Sequence, residues 1–593
     1  MILQPIDWWI IGGYLVFAIG VGAWLARRAG RSTQDFYLAN RSLPWWVAGT
    51  SMVATSFAAD TPLVVTGWVR SAGISQNWLW WGMASGGSLA IIVIAGWWRR
   101  LEVTTDAEFI EQRYAGKQAK ALRAFLGGYH STVTNTITLI WVLVAMKKVV
   151  RVVLDLPDDS MDGPIVAGGL VLALTYSFLS GLWGVVVTDF FQFILAMAGA
   201  LFLAFQASEA LGGLDAARES FAQLGHATTS IMPTQGGGWN DLLWWTQGIG
   251  AFLIFLGVQG WLNKNADGGG AAVQRYSACK DPEHARKASL WFHIAHYALR
   301  PWPWIFVALA SMTLIPAESL PMLTDSAGNI TGPDHEAAYP MMMAQLLGPG
   351  LFGLMCASFL AAFMSTLDTH FNLASAYFVN DLYRRFLNKT AAPKHYVWVG
   401  RFAEVGIALL AGGLALVADS ISDLFTFSLS LLGGLGPALL LRWFWWRANA
   451  WTEISALATS TAMTLILGTF FGAIPYPVSY AIVLGTSIVV MLVTTLLTAP
   501  TPNATLENFY GRVKPAGAWR PFRKPGDPNT LAPLLVGWFG GTALIYGLLF
   551  GIGHWMLGNS SLLWWLTALV GGILLRISWH PAFPKPDFQE TKS

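Results

Sequence analysis

Long apolar stretches separated by short polar connections dominate the chain. A hydrocarbon core of about 30 Å needs roughly 20 apolar helical residues per crossing. Such stretches begin near Trp8, Trp45, Trp78, Ala124, Pro164, Leu182, Leu242, Leu290, Leu351, Val397, Leu424, Trp451, Tyr480, Leu531 and Ser561. This spacing predicts fourteen or fifteen membrane-spanning helices. Tryptophan pairs (Trp45-Trp46, Trp97-Trp98, Trp445-Trp446) mark their ends, where amphipathic rings prefer the interface. The first stretch has no basic segment ahead of it and is followed by Arg27 and Arg28, so it reads as a retained span and not as a signal peptide.

Composition agrees with that pattern. Only 12% of the 593 residues are charged, mean hydropathy is +0.49, and the net charge is +3; an average soluble domain carries about 25% charged residues. A soluble enzyme, a disordered chain and a nucleic-acid partner are thereby excluded. Cys279 and Cys356 make neither a disulfide framework nor a metal-ligand spacing. Basic connections at 263–289, 381–401 and 499–530 alternate with acidic ones at 206–240 and 315–340. The positive-inside bias then predicts an integral multi-pass protein of the inner or plasma membrane with its N-terminus outside. Lys147, Lys148 and Arg151 fall on the outer side against that rule.

Transporters bind their cargo where helices are interrupted near mid-membrane. The second span runs into Ala58-Ala59-Asp60-Thr61-Pro62; Pro62 removes a donor and clashes with the preceding turn, freeing carbonyls around Ala54 to Ala58. Five spans later Gly248, Gly250, Gly257, Gln259 and Gly260 predict a matching interruption, although glycines also serve close helix packing. Intramembrane carboxylates are costly unless paired or hydrated, and Asp60, Asp189 and Asp368 stand out. On the ninth span Ala362, Ser365, Thr366 and Thr369 form one stripe, with Asp368 on its edge. Hydroxyls, carboxylates and freed carbonyls suit a hard alkali cation. Serine and threonine also join helices by hydrogen bonds worth roughly 0.6 kcal/mol each.

These residues resemble a known family. Asp35-Phe36-Tyr37-Leu38-Ala39-Asn40-Arg41 leading to Trp45-Trp46, Gly181-Leu182 with Val187-Thr188-Asp189, Gln274-Arg275-Tyr276-Ser277 and Met364-Ser365-Thr366-Leu367-Asp368 are similar, in order, to segments of the sodium/solute symporter family. The resemblance implies an all-α polytopic membrane protein with a five-plus-five inverted-repeat transporter fold, one extra N-terminal helix and about four C-terminal ones. Its parts would be a leading helix (1–30), a first five-helix repeat (44–210), an inverted second repeat (240–446), and C-terminal helices with a cytoplasmic loop (447–593). It further implies a site for Na+ built from carbonyls of Ala54, Phe57 and Ala362 and hydroxyls of Ser365 and Thr366. A second sodium or proton site would fall on Asp189, Asp368 and Thr369 beside Ser365. Valine at 187, where tryptophan is common, and Trp80 and Leu429, where galactose-transporting members carry polar residues, depart from the pattern and argue against galactose-like recognition.

Candidates for the solute cavity are Asp60, Thr61, Trp80, Gln259, Thr426 and Arg300. Trp80 reads equally as a platform for a sugar face or as packing. Arg300 reads as an anchor for a solute carboxylate or as a structural partner of an acid, including Asp189 or Asp368. His130 reads as a packing histidine. No HExxH, GxSxG or GxxxxGK[ST] motif is present, so the expectation is not an enzyme. It is a sodium-coupled importer of a small polar solute (sugar, carboxylate or amino-acid-like) whose partners are that solute, the sodium ion and the lipid bilayer. The alternatives are a proton-coupled carrier of the same fold and a transporter-like sensor without net flux.

Overall fold

The computed structural model describes residues 3–29, 33–156, 159–233, 248–263, 265–324, 330–418, 420–471, 474–527 and 530–585. Helices follow the order that the apolar stretches predict. α1 (Pro5–Ala29) precedes a span broken into α2 (Trp45–Thr55) and α3 (Asp60–Ala72). α4 (Ile74–Leu101), α5 (Asn135–Val153), α6 (Asp162–Phe178) and α7 (Leu182–Ala210) follow. A second broken segment comprises α8 (Gly248–Ile254) and α9 (Gly269–Ala278), and α10 (Pro282–His293) continues through a π-helical turn into α11 (Pro301–Leu314). α12 (Leu351–Ala376), α13 (Pro393–Ala415) and the divided pair α14 (Ile421–Gly433) and α15 (Gly436–Phe444) come next. α16 (Ala450–Phe470), α17 (Tyr476–Leu497), α18 (Leu531–Met556) and α19 (Leu562–Ser578) end the array. Among the described residues, eight helices are long and apolar enough to cross a bilayer by length and composition.

The second span breaks at Ser56–Ala59. Pro62 lies in the first turn of α3, where a missing N–H costs nothing while its ring disfavours helix one turn earlier. The seventh span differs from expectation. Gly248, Gly250 and Gly257 lie within helix, which continues as a π-helical turn to Gln259 and gives way at Gly260. Its predicted start near Leu242 lies outside the described residues, as do Lys264 and Asp325. The chain resumes as α9, so Gln274 to Ala278 form a buried half-helix and not a connecting loop.

Glycine sets the contact between the third span and this break. A Cβ on Gly86 would stand 2.2 Å from the Gly260 carbonyl, and one on Gly260 would stand 2.2 Å from the Gly82 carbonyl. Backbone therefore packs directly on backbone.

The cations that offended the charge rule have partners. Lys148 Nζ lies 2.9 Å from Asp334 and 2.6 Å from Glu336, both in the acidic connection, and Lys147 and Arg151 share Asp162 at 3.1 and 2.7 Å. Their charge is balanced locally, which removes the cost of standing at that end. At the ninth span, Asp7 of α1 accepts the backbone N–H groups of Gly350 and Gly353 at 2.7 and 2.8 Å; a carboxylate there complements the positive end of α12.

Candidate functional site

The hydroxyl stripe of α12 faces the broken second span. Thr366 Oγ1 lies within hydrogen-bonding distance of two acceptors for its one hydrogen, the Thr55 carbonyl (3.2 Å) at the end of α2 and Ala362 O (3.1 Å) one turn back. Ala54 O already accepts the Phe57 N–H at 2.9 Å, and the Phe57 ring packs on Trp304. Thr55, Ala362 and Thr366 thus meet where the first helix of the break ends, one residue beyond Ala54. Ser365 turns another way: its hydroxyl donates to Asp189 of α7.

Asp189 is fully buried and accepts from Ser51 of α2 at 2.5 Å as well. Its cation is Arg275. The guanidinium donates to Thr369 Oγ1 at 2.8 Å, to Ser51 Oγ at 3.2 Å and to Thr55 Oγ1 at 3.3 Å. The reading that Arg300 pairs with Asp189 or Asp368 is therefore incorrect. α9 is a helix, and it carries Arg275 inward between α2 and α12. Asp368 turns towards α6, where it is hydrogen-bonded to Ser177.

The break also borders a cavity of about 370 Å³, whose lining includes Thr55, Thr366 and Arg275. Asp60, Thr61, Trp80 and Arg300 line it, as do His130 and Leu429. Asp60 Oδ1 and Arg300 Nε are buried without a hydrogen-bond partner. Arg300 Nη1 donates to Val53 O at 3.3 Å, and its guanidinium lies 5.7 Å from the Trp80 ring centre and 5.3 Å from that of Trp304. Among the described residues, no ion pair joins Asp60 to Arg300, though both face one space.

Gln259 does not reach that space. Its amide donates to Leu79 O at 2.8 Å and accepts from the Tyr476 hydroxyl at 3.2 Å, because the π-helical turn rotates it towards α4 and α17. Thr426 belongs to α14, and its side chain lies outside the described residues. His130 bonds Thr134 Oγ1 at 3.2 Å and packs on Tyr377.

Sequence reasoning passed over Arg275, Ser51, Thr55 and Glu404. Ser51 and Thr55 sit four apart in the small-residue run of α2, and that spacing puts two hydroxyls on one helix face. Glu404 is a further intramembrane carboxyl, the one acid in α13.

The model of the sodium:solute symporter family matches residues 36–475. A sodium/glucose cotransporter of Vibrio parahaemolyticus is 24% identical over 493 residues, covering 78% of this chain and 85% of that protein. A sodium/mannose cotransporter of Bos taurus is 27% identical over 514 residues, covering 78% and 79%. The substrate-bound, outward-open structure of a Na+-coupled sialic acid symporter superposes with a TM-score of 0.65 at 19% identity, covering 84% of this chain and 99% of that one. The likeness extends through the five-plus-five inverted-repeat core, and the family match takes in both broken spans, the stripe on α12 and the buried Asp189. The chain belongs to the sodium:solute symporter family.

Proposed function

We propose that the protein is a sodium-coupled symporter that imports a small solute carrying an anionic group together with hydrogen-bond donors, as an amino acid or a hydroxy acid does. One observation carries the solute class: Asp60 and Arg300 face the same cavity, unpaired with each other, each with a buried polar atom lacking a partner. A buried charge is costly until paired. A solute carboxylate at Arg300 and an ammonium or hydroxyl at Asp60 would meet both needs, with Trp80 covering the apolar part. Sodium would bind between the end of α2 and Thr366, holding the break against α12 and completing the cavity. The repeats at 44–210 and 240–446 would rock about that site, with the N-terminus outside and the basic connections in the cytoplasm.

Solute counterflow in proteoliposomes tests this reading. Labelled amino acids, hydroxy acids and neutral hexoses would be compared in sodium and in potassium. Exchange of a carboxylate-bearing solute in sodium, lost in potassium, is expected. Exchange of neutral hexoses alone would overturn the solute class, and sodium-independent exchange would overturn the coupling. Binding without exchange would identify a sensor.

A further inference from the structure

The cavity wall that carries Arg300 is a stripe at four-residue spacing: Phe292, His296 and Arg300 all line the space. The stripe crosses the π-helical turn Ile294–Leu299 between α10 and α11. Pro301 and Pro303 bring no N–H to the turn ahead of them, and the Arg300 N–H reaches back five residues, to Ala295 O at 3.1 Å. Such turns within α-helices are frequent at functional sites.

Four histidines line the cavity. Three are hydrogen-bonded within the protein: His293 Nδ1 lies 2.7 Å from Ser289 O, His370 Nδ1 lies 2.6 Å from Asn135 Oδ1, and His130 bonds Thr134. His296 differs. Its Nδ1 is buried without a partner, and among the described residues its ring makes no hydrogen bond. Rings alone fix its plane. It stacks on Phe292 at 4.8 Å between centres and meets Trp80 and Tyr297 edge-on at 5.3 and 4.5 Å. A phenylalanine would make the same three contacts and leave no nitrogen unsatisfied, so packing does not account for the imidazole.

Burial decides where the hydrogen sits. A neutral imidazole has one N–H and one accepting nitrogen. An orphaned buried N–H is rarer than an orphaned acceptor, which leaves the lone pair on Nδ1 and the hydrogen on Nε2. The half-buried ring thus offers a donor to the cavity that it lines. Residues four apart on one helix face hold their Cβ atoms about 5–6 Å from each other, so this donor stands one turn from Arg300.

We infer that His296 is a third solute contact, donating from Nε2 to a hydroxyl or carbonyl oxygen that the solute carries close to its carboxylate. The cavity thereby selects monocarboxylates bearing such an oxygen. Asp60 and Arg300 offset each other, so a second carboxylate on the solute would enter with no cation to meet it; an uncharged oxygen suits the imidazole donor. The assignment rests on the proposed reading that Arg300 receives the solute carboxylate.

Competition binding in sodium, with three solute pairs that differ by one hydroxyl, is the test: serine against alanine, threonine against 2-aminobutyrate, and 3-hydroxybutyrate against butyrate. The wild type should bind the hydroxylated member of at least one pair about tenfold more tightly, the worth of one hydrogen bond, and succinate should not compete. His296→Phe keeps the ring contacts and loses the donor. It should bind both members alike while sodium still raises its melting temperature. His296→Gln restores an N–H donor and should recover part of the preference. A merely structural role would weaken both members together and leave their ratio unchanged. Carboxylates that bind the wild type with no hydroxyl preference in any pair overturn the assignment, as does a preference that survives in His296→Phe. Two variants that both fail to fold, with no sodium stabilisation, would make His296 a packing residue and overturn it too. If none of the six solutes binds the wild type, the carboxylate reading itself falls, and the third contact with it.

Discussion

The guanidinium of Arg275 lies 3.8 Å from the carboxylate of Asp189, and neither side chain is exposed to solvent. This places a fixed cation beside the acid that a second sodium would otherwise neutralise. Removing one member of a buried pair leaves an uncompensated charge, which costs about 3–5 kcal/mol. Arg275→Met should therefore lower thermal stability sharply in potassium and less in sodium, since a bound sodium can replace the lost charge. The double variant with Asp189→Asn should recover most of the loss. Melting curves in the two salts check this; an equal loss in both would mean that no ion reaches Asp189.

Thr366 and Ser365 are adjacent, yet their hydroxyls serve different partners. Thr366→Ala should raise the sodium concentration for half-maximal transport roughly tenfold, about 1.4 kcal/mol, whereas Thr366→Ser should stay close to wild type. Ser365→Ala should act through Asp189 and leave less of its effect on sodium dependence when combined with Asp189→Asn. Sodium titrations of transport distinguish these outcomes, and wild-type sodium dependence in Thr366→Ala would remove that hydroxyl from the site.

The cavity charges give a third expectation. Asp60→Asn and Arg300→Gln should each weaken solute binding by about tenfold or more, because each removes a charge-assisted hydrogen bond worth about 1.5–3 kcal/mol, while sodium still stabilises the protein. Competition binding with solutes lacking either the carboxylate or the amine should show each variant blind to the group its side chain would meet. If sodium stabilisation disappears in Asp60→Asn, the carboxylate belongs to the ion site.

Away from the membrane interior, Glu111 links the short helix Asp106–Arg113 to the connection after α12. It lies 2.7 Å from Arg123 and 2.9 Å from Arg385. Burial pushes the Glu111 carboxyl up, but hydrogen bonds from Arg385 and Arg123 outweigh that and hold it below its ordinary value. A carboxyl lowered in the folded state contributes stability above its unfolded pKa of about 4.5 and loses it as pH falls through the lower, folded one. Thermal stability should thus fall on acidification through that range, and Glu111→Gln should flatten this part of the profile.

The spans were legible because a 20-residue apolar run has few alternatives, and the break before Asp60 because Pro62 disfavours helix in the turn ahead of it. Arg275 was hidden for the opposite reason. The ten-residue half-helix α9 is too short to register as a crossing, so its arginine was counted among loop charges on the basic side. Glu404 escaped because a single acid in a 23-residue apolar run barely changes its hydropathy. Gln259 was misplaced by one helical irregularity: a π-helical turn shifts the facing of every residue beyond it, and periodicity counted at 3.6 per turn cannot see that shift.

The bare contact between Gly82, Gly86 and Gly260 constrains how such a carrier can move. With no side chains between the two backbones, there is nothing to slide, repack or lubricate; a shift of even one methyl's width would open a gap or drive carbonyl into carbonyl. The third span and the turn at Gly260 that follows α8 are in effect one plank. The seam along which the protein divides as it turns from one side of the membrane to the other must run elsewhere, and a chemical clamp fastening α4 to the turn at Gly260 should leave the transport cycle running.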